Sequence, residues 1–175
     1  MSTTSGVATA LVETDLETRV SRDHHESLRL WLRLLAATNL VEARVRRLLQ
    51  EKFATTLPRF DLMAQLERAP QGLKMGELSR RLMVTGGNVT GLTDSLEDEG
   101  LVVRESDGAD RRALRVKLTR EGRRVFRAMA TEHERWIAEL FAGLSPREAR
   151  SLAERLHTLK QHILDSVPLD ERGTE

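Results

Sequence analysis

The chain has 175 residues, 28 of them Lys or Arg and 27 Asp or Glu, and a formal net charge of +1. It has no cysteine, which excludes disulfides, thiolate metal sites and thiol redox sensing. Its six aromatic residues are too few for a surface that stacks single-stranded nucleic acid. No apolar run reaches the roughly 18 residues of a membrane span, and the Ser/Thr-rich start lacks the features of a secretory signal. Composition therefore favours a soluble cytoplasmic protein that does not associate with membranes.

The first strong pattern along the chain predicts one long helix over residues 23–57, preceded by a flexible arm at 1–22. Apolar residues recur at three- or four-residue steps through this stretch, and Asp23 with Glu26 has the spacing of a capping box. Neither Gly nor Pro interrupts it. A helix of about 30 residues is too long for one small lobe to cover. It either joins two parts of the molecule or packs on a partner chain.

Three shorter helical patterns follow the long helix. The first stops at a Pro-Gln-Gly breaker (70–72), and the third covers residues 85–99 and ends at Gly100, whose position is that of a left-handed helix cap. The apolar positions of the three are Phe60, Met63 and Leu66; Met75, Leu78 and Leu82; and Val89, Leu92 and Leu96.

The period of the pattern then changes from helix to strand. Residues 101–103 are a short apolar run, and apolar and basic residues alternate strictly over 114–118. Between them, residues 106–112 contain the Asp and Gly residues of a turn-forming loop. We therefore predict a β-hairpin.

Two long helices close the chain. Thr119 is placed to cap the first, which runs to about Ala142, and Ser145-Pro146-Arg147-Glu148 is a strong start signal for the second. The second stops before Pro168, and residues 167–175 form a flexible tail. The apolar surface of the first and last helices exceeds what the middle of the chain can bury, so residues 121–166 are predicted to form a homodimer interface. The alternative is a monomeric helical bundle.

The order of short helix, tight turn, helix and hairpin is that of a winged helix-turn-helix. The predicted fold is mainly α with a small β-hairpin wing: a winged helix-turn-helix lobe over residues 58–120 plus a helical dimerisation region. The recognition helix is 85–99, because its first half exposes small polar residues that let DNA approach closely. These are Thr85, Gly86, Gly87, Asn88, Thr90 and Gly91. The acidic far end of this helix has to point away from DNA. The alternative interpretation of Gly86-Gly87 is that the two glycines belong to a simple loop.

The charge of the predicted wing supports DNA binding. Residues 101–124 hold eight basic and four acidic side chains. Arg111 and Arg112 lie at the hairpin tip, which suits a narrow minor groove of enhanced negative potential, and Arg115 lies on the outer face of the strand. Asp110 is placed to pair with Arg112 and orient it. The alternative is a solvated turn with ordinary surface charges.

Over residues 25–165 the sequence resembles the MarR family of bacterial transcriptional regulators. The resemblance lies in MGELSRRLMVTGGNVTGLTDSLEDEGLV (75–102) and DRRALRVKLTREG (110–122). It implies that Arg112 enters the minor groove with Asp110 supporting it, and that residues 86–93 read DNA, which adds Thr93. Many relatives have Arg or Gln early in that helix, where this chain has Gly-Gly-Asn. The resemblance also implies a homodimer on a pseudo-palindromic operator, usually a repressor released by a ligand.

In such relatives the effector sits between the dimer helices and the winged lobe. An Arg there can clamp a carboxylate, and the resemblance of the TGGNVTG segment to regulators of phenolic-acid catabolism implies an aromatic acid or its coenzyme A thioester. The alternative is that the polar candidates are salt-bridged surface residues and that Trp31 and Trp136 belong to the core. The candidate effector residues are His24, His25, Arg29, Trp31, Arg33 and Asn39.

Enzymatic function is not indicated. The five histidines form no HExxH motif, and the chain lacks GxSxG and phosphate-loop motifs. We therefore predict no catalytic activity, no cofactor and no metal. The competing hypothesis is a dimeric protein-interaction module whose winged lobe binds a protein. The salt dependence of binding distinguishes the two hypotheses, because the affinity of a DNA-binding protein for a duplex falls steeply with ionic strength.

Overall fold

Helices dominate the computed structural model, which describes residues 26–82, 86–107 and 110–166 and excludes the side chains of residues 107 and 110–113. Within these ranges the chain forms six helices and three short strands. It divides into two compact units, Met1–Leu57 and Pro58–Glu175. The expected N-terminal arm, the Asp23 cap and the C-terminal tail lie outside the described residues.

The first unit contains helix α1 (Glu26–Phe53), which is unbroken for 28 residues as its sequence predicts. Val45 and Leu49 are its buried side chains. The helix ends through Ala54, whose φ of 50° is a conformation that glycine adopts more readily. In the described part of the chain, neither α1 nor any other helix combines the length and apolarity needed to cross a membrane.

In the second unit, helices α2 (Leu57–Glu67), α3 (Met75–Leu82) and α4 (Gly86–Asp98) occupy the stretches that their apolar periods predict. Their core side chains are Phe60, Leu62, Met63, Leu66, Leu78, Val89 and Leu96. The end of α4 is a Schellman motif: Gly100 has a φ of 70°, its N–H donates to Glu97 O at 2.8 Å, and Leu101 N–H donates to Leu96 O at 2.9 Å.

The sheet is larger than the predicted hairpin. Strands β1 (Leu73–Lys74), β3 (Asp110–Leu118) and β2 (Val102–Asp107) are antiparallel neighbours in that order. Strand β1 was not predicted. Residues 106–107 and 110–112 were expected in the turn-forming loop but belong to strands β2 and β3. Two residues are too few to show alternation, and residues 105–107 and 110–112 are all polar, so neither stretch carries a hydrophobic period.

Helix α5 (Arg120–Leu140) begins as predicted, with Thr119 as its N-cap. The Thr119 hydroxyl accepts a hydrogen bond from Gly122 N–H at 2.9 Å, and the Thr119 N–H donates to Leu101 O at 3.0 Å. A Cβ on Gly122 would lie 1.9 Å from that same Leu101 oxygen. The Leu-Thr-x-x-Gly pattern thus describes a helix start packed against the peptide that follows α4.

Helix α6 (Pro146–Ser166) also starts as predicted, with a capping box in which Ser145 N–H donates to Glu148 Oε2 at 2.8 Å. The Ser145 hydroxyl donates to the same oxygen at 2.5 Å. This hydrogen bond and the one from the backbone N–H lower the pKa of Glu148. None of the residues of α6 is buried. Its exposed large apolar side chains are Leu152, Leu156, Leu159, Ile163 and Leu164.

Candidate nucleic-acid interface

The first half of α4 presents an open polar surface, as the sequence predicts. Gly86, Gly87, Asn88, Thr90 and Gly91 are all exposed. A Cβ built on any of the three glycines would meet no other heavy atom within 4 Å. A partner can therefore approach the backbone here closely. Thr85, the preceding candidate, lies outside the described residues.

Thr93 does not belong to this surface. It is fully buried, and its hydroxyl donates to Val89 O at 2.7 Å, so it cannot reach a base. The expectation that Thr93 contacts DNA is therefore wrong. Positions 89 and 93 are one helical turn apart and share the core-facing stripe, and the carbonyl of Val89 satisfies the hydroxyl that would otherwise disfavour burial.

The acidic far end of α4 is bound by arginines from other elements. Arg104 on β2 pairs with Asp94 at 2.5 Å and with Glu97, and its backbone N–H donates to Glu97 Oε1 at 3.1 Å. Burial lowers the pKa of Arg104, but the hydrogen bonds and charges of the two carboxylates outweigh it and raise the pKa above the ordinary value.

Arg59 on α2 binds the other flank of the same helix end. Its Nη1 donates to Ser95 Oγ at 2.8 Å, and its Nη2 donates to Glu99 Oε2. The hydrogen bond from Arg59 lowers the pKa of Glu99 below its usual value. The contacts of these two arginines could not be expected from the sequence. Arg59 lies 36 and 40 residues from its partners, and Arg104 lies in a strand, where a helical period gives no signal.

In the wing, pairing of β2 with β3 places the backbone of Asp110, Arg111 and Arg112 in β3, but their side chains lie outside the described part. Arg115 is half-buried, and its Nη1 donates to Gly72 O at 3.0 Å. Gly72 has a φ of 82°, and a Cβ there would lie 2.8 Å from Val116 O, so this tight turn requires glycine.

The second unit also contains a cavity of about 410 Å³ between α2, α3 and α5. Phe60 packs against Phe126 with ring centroids 5.5 Å apart and against His133 at 4.8 Å. Burial lowers the pKa of His133, an effect that the charge of Asp61 partly offsets. Arg68 and Arg81 line the same cavity, so aromatic and cationic groups converge there. This set of residues was not predicted from the sequence.

The predicted effector residues that the structure describes lie on α1, in the first unit, whereas the cavity belongs to the second. Arg29 is half-exposed, and Arg33 and Asn39 are exposed. Trp31 is 56% exposed, so the alternative that it is a core residue is wrong for this chain, whereas Trp136 is buried as that alternative expects. His24 and His25 lie outside the described residues.

The comparisons with known proteins decide the family. The MarR family model matches residues 55–113, which run from the start of α2 into β3. The transcriptional activatory protein BadR of Rhodopseudomonas palustris is 33% identical over 142 residues, 79% of this chain and 78% of BadR. This chain belongs to the MarR family.

Two further relatives support this assignment. The HTH-type transcriptional regulator YkoM of Bacillus subtilis is 37% identical over 100 residues, or 55% of this chain, and the match spans 64% of YkoM. The structure of Sco3205, a MarR-family regulator from Streptomyces coelicolor in complex with DNA, superposes with a TM-score of 0.71 and 26% identity, covering 83% of this chain and 92% of that one.

The comparisons thus confirm the predicted family and the predicted winged-helix fold. Members of this family are transcriptional regulators, so the prediction that the chain is not an enzyme is also confirmed. Of the two functional hypotheses, DNA binding is the supported one. This MarR-family protein is a DNA-binding transcriptional regulator.

Proposed function

We propose that this MarR-family protein is a ligand-responsive repressor that binds a pseudo-palindromic operator as a homodimer. The observation that carries the proposal is the open, glycine-rich first half of α4, which lies in the same lobe as a two-stranded wing. In a winged helix-turn-helix these two elements enter the major and minor grooves.

The proposed DNA contacts fall into two groups. In the major groove, Asn88 reads a base edge, and Thr85, Gly86, Gly87, Thr90 and Gly91 let the helix approach phosphates and bases. In the wing, Arg112 enters the minor groove with Asp110 orienting it, while Arg111 and Arg115 contribute positive charge. Thr93 is excluded by its burial.

A selection from a randomised duplex library tests operator binding. We expect an enriched pseudo-palindrome whose affinity falls steeply with salt, and we expect Arg112→Ala to weaken binding across all sequences, because a tip arginine reads groove shape and charge. The absence of any enriched duplex, together with an affinity that salt does not change, would contradict the proposal.

The homodimer is supported by α6, none of whose residues is buried. Leu152, Leu156, Leu159 and Ile163 recur at three- or four-residue steps, and each is at least 36% exposed. An apolar stripe at this spacing is expected to pack against another helix. Sedimentation of the full chain should give twice the mass of one subunit, and Leu156→Lys should shift it to a monomer.

The effector response is supported by the cavity between α2, α3 and α5. A cavity of about 410 Å³ falls within the size range of small-molecule sites. Rings of Phe60, Phe126 and His133 suit an aromatic group, and Arg68 and Arg81 suit a carboxylate. We infer an aromatic acid or its coenzyme A thioester as the ligand. The residues that the sequence predicts for the effector remain a separate set of candidates in the first unit: His24, His25, Arg29, Trp31, Arg33 and Asn39.

Thermal unfolding with a hydroxycinnamic acid and with its coenzyme A thioester tests the ligand class. A ligand of the folded state raises the melting temperature by mass action. We expect Arg81→Gln to abolish that shift, and charge reversal at Arg29 or Arg33 to abolish release from DNA while leaving operator affinity intact. If Arg81→Gln keeps the full shift, the ligand does not use this cavity.

The direction of regulation needs its own experiment, because BadR is a transcriptional activatory protein. A reporter gene placed behind the selected operator should be expressed weakly when the protein is present and recover when ligand is added. Expression that rises with the protein would show activation instead.

A further inference from the structure

We propose that Arg59 and Arg104 are positioning residues that hold the recognition helix α4 by its acidic end and so set the angle at which its open half meets DNA. The inference rests on the proposed operator binding. It extends that function to residues that do not themselves touch DNA.

The two arginines bind opposite flanks of the helix end. Ser95 and Glu99, the partners of Arg59, are four residues apart and share one flank. Asp94 and Glu97, the partners of Arg104, are three apart and share the other. A rotation of α4 about its axis would therefore stretch one set of contacts whichever way the helix turned.

The arginines come from two different elements of the lobe. Arg59 belongs to α2 and Arg104 to β2, so α4 is connected to a helix on one side and to the wing on the other. Both side chains are largely covered, with 17% and 19% of their surface exposed. A covered planar guanidinium fixes the direction of its hydrogen bonds.

Net stability alone does not account for these contacts. Desolvation of an ion pair offsets much of its attraction, and the buried Nε of Arg59 has no hydrogen-bond partner among the described residues. The two arginines instead fix the orientation of α4. The first half of α4 is held on its core-facing side, where Val89 is fully buried, while Gly86, Gly87 and Gly91 leave open space around them.

The test compares Arg59→Gln and Arg104→Gln with the unmodified full chain on two duplexes, the selected operator and a scrambled one, across a range of salt. We expect operator affinity to fall about tenfold, the equivalent of one well-made base contact. Affinity for the scrambled duplex and the slope of log affinity against log salt should not change. The matched control is Arg135→Gln on α5, which also loses pairs to two carboxylates, Glu132 and Glu139.

Rescue separates positioning from a general loss of stability. The double variant Arg59→Glu with Glu99→Arg should recover most of the lost operator affinity, while either single change should not. Arg59→Lys keeps the charge without the fork of donors and should give an intermediate loss. If Arg59→Gln does not fold, Arg59→Lys provides the decisive comparison.

A second measurement needs no DNA. Amide hydrogen exchange of the free protein should become faster in α4 for Arg59→Gln and stay unchanged in α5. Unchanged exchange in α4 would overturn the inference, as would unchanged operator affinity. A salt slope smaller by about one would also overturn it, because that result means the arginine itself contacts a phosphate. Failure of the unmodified chain to enrich any duplex would count against the proposed function, while the exchange result would separately show whether Arg59 holds α4.

Discussion

The two ends of α4 are built in opposite ways. The first half is rich in glycine, exposed and without neighbours near its glycines. The far end is acidic, is bound by arginines from α2 and β2, and finishes in a Schellman motif at Gly100. A helix that reads DNA needs an uncovered surface where it reads, so its orientation has to be set at the end that does not.

The largest effect, on the free energy of unfolding, is expected from disrupting the packing next to the arginine-bound end of α4. Gly122→Ala places a Cβ 1.9 Å from Leu101 O, a backbone atom that cannot move alone, so we expect a loss of about 3 kcal/mol in unfolding free energy. Urea denaturation measures it. Gly143→Ala is the control, since a Cβ there meets nothing within 4 Å. Equal stability of the two variants would show that this contact is not tight.

Asn88→Ala sharpens the comparison at the open end. At one position of each half-site, we expect the free-energy difference between the preferred base and the others to change by about 1–3 kcal/mol. The free energy of unfolding should stay within about 0.5 kcal/mol of that of the unmodified chain. Binding to a set of single-base operator variants measures the change. Asp98→Asn, exposed at the far end of the same helix, should leave the preference profile unaltered. An unaltered profile for Asn88→Ala would remove it from the reading surface.

Gly91→Ala should separate stability from binding at the open end. Alanine favours helix over glycine by up to about 1 kcal/mol, and no atom obstructs the new Cβ, so the melting temperature should rise. Operator affinity should fall, because the methyl group occupies the approach surface. Gly76→Ala on α3, equally unobstructed, should stabilise the chain with less effect on affinity. An affinity gain for Gly91→Ala would contradict the expectation.

The smallest effect is a pH dependence of the held end. Arg59 lowers the folded-state pKa of Glu99 below the ordinary 4.5, so the stabilisation is fully present above pH 4.5 and is lost as pH falls through the lowered value. The carboxyl is about half exposed, which limits the contribution to roughly 0.5 kcal/mol. Unfolding free energies from pH 7 to pH 3 should fall less in Glu99→Gln than in the unmodified chain. If the unfolding free energies of the two proteins fall equally with pH, the Arg59–Glu99 ion pair does not contribute to the pH dependence of stability.

Structural features that depend on residues close together in the sequence could be predicted. Gly100 at the end of α4, the Ser145 box and the Thr119 cap depend on residues within one or two turns of each other, and the structure contains all three. The burial of Thr93 was not predicted, because the family resemblance placed all of residues 86–93 among those that read DNA. In the structure Thr93 lies one turn after Val89 and shares its burial.

Features that join distant parts of the chain could not be predicted. Arg59 lies 36 and 40 residues from Ser95 and Glu99, and no periodic pattern connects positions so far apart. Strand β1 has two residues and acquires its identity only by pairing with β3. The cavity likewise combines side chains from three helices, which the sequence presents as separate apolar stripes.

The peptide after Leu101 joins three elements at one point. Its oxygen accepts the Thr119 N–H and lies against Gly122, while β2 begins at the next residue. The root of the hairpin is therefore attached to the start of α5. Because the six residues of β2 span about 17 Å, a rotation of that strand by roughly 10° about its root would move its far end by about 3 Å. Such a rotation would move the end of the strand by about the length of one hydrogen bond.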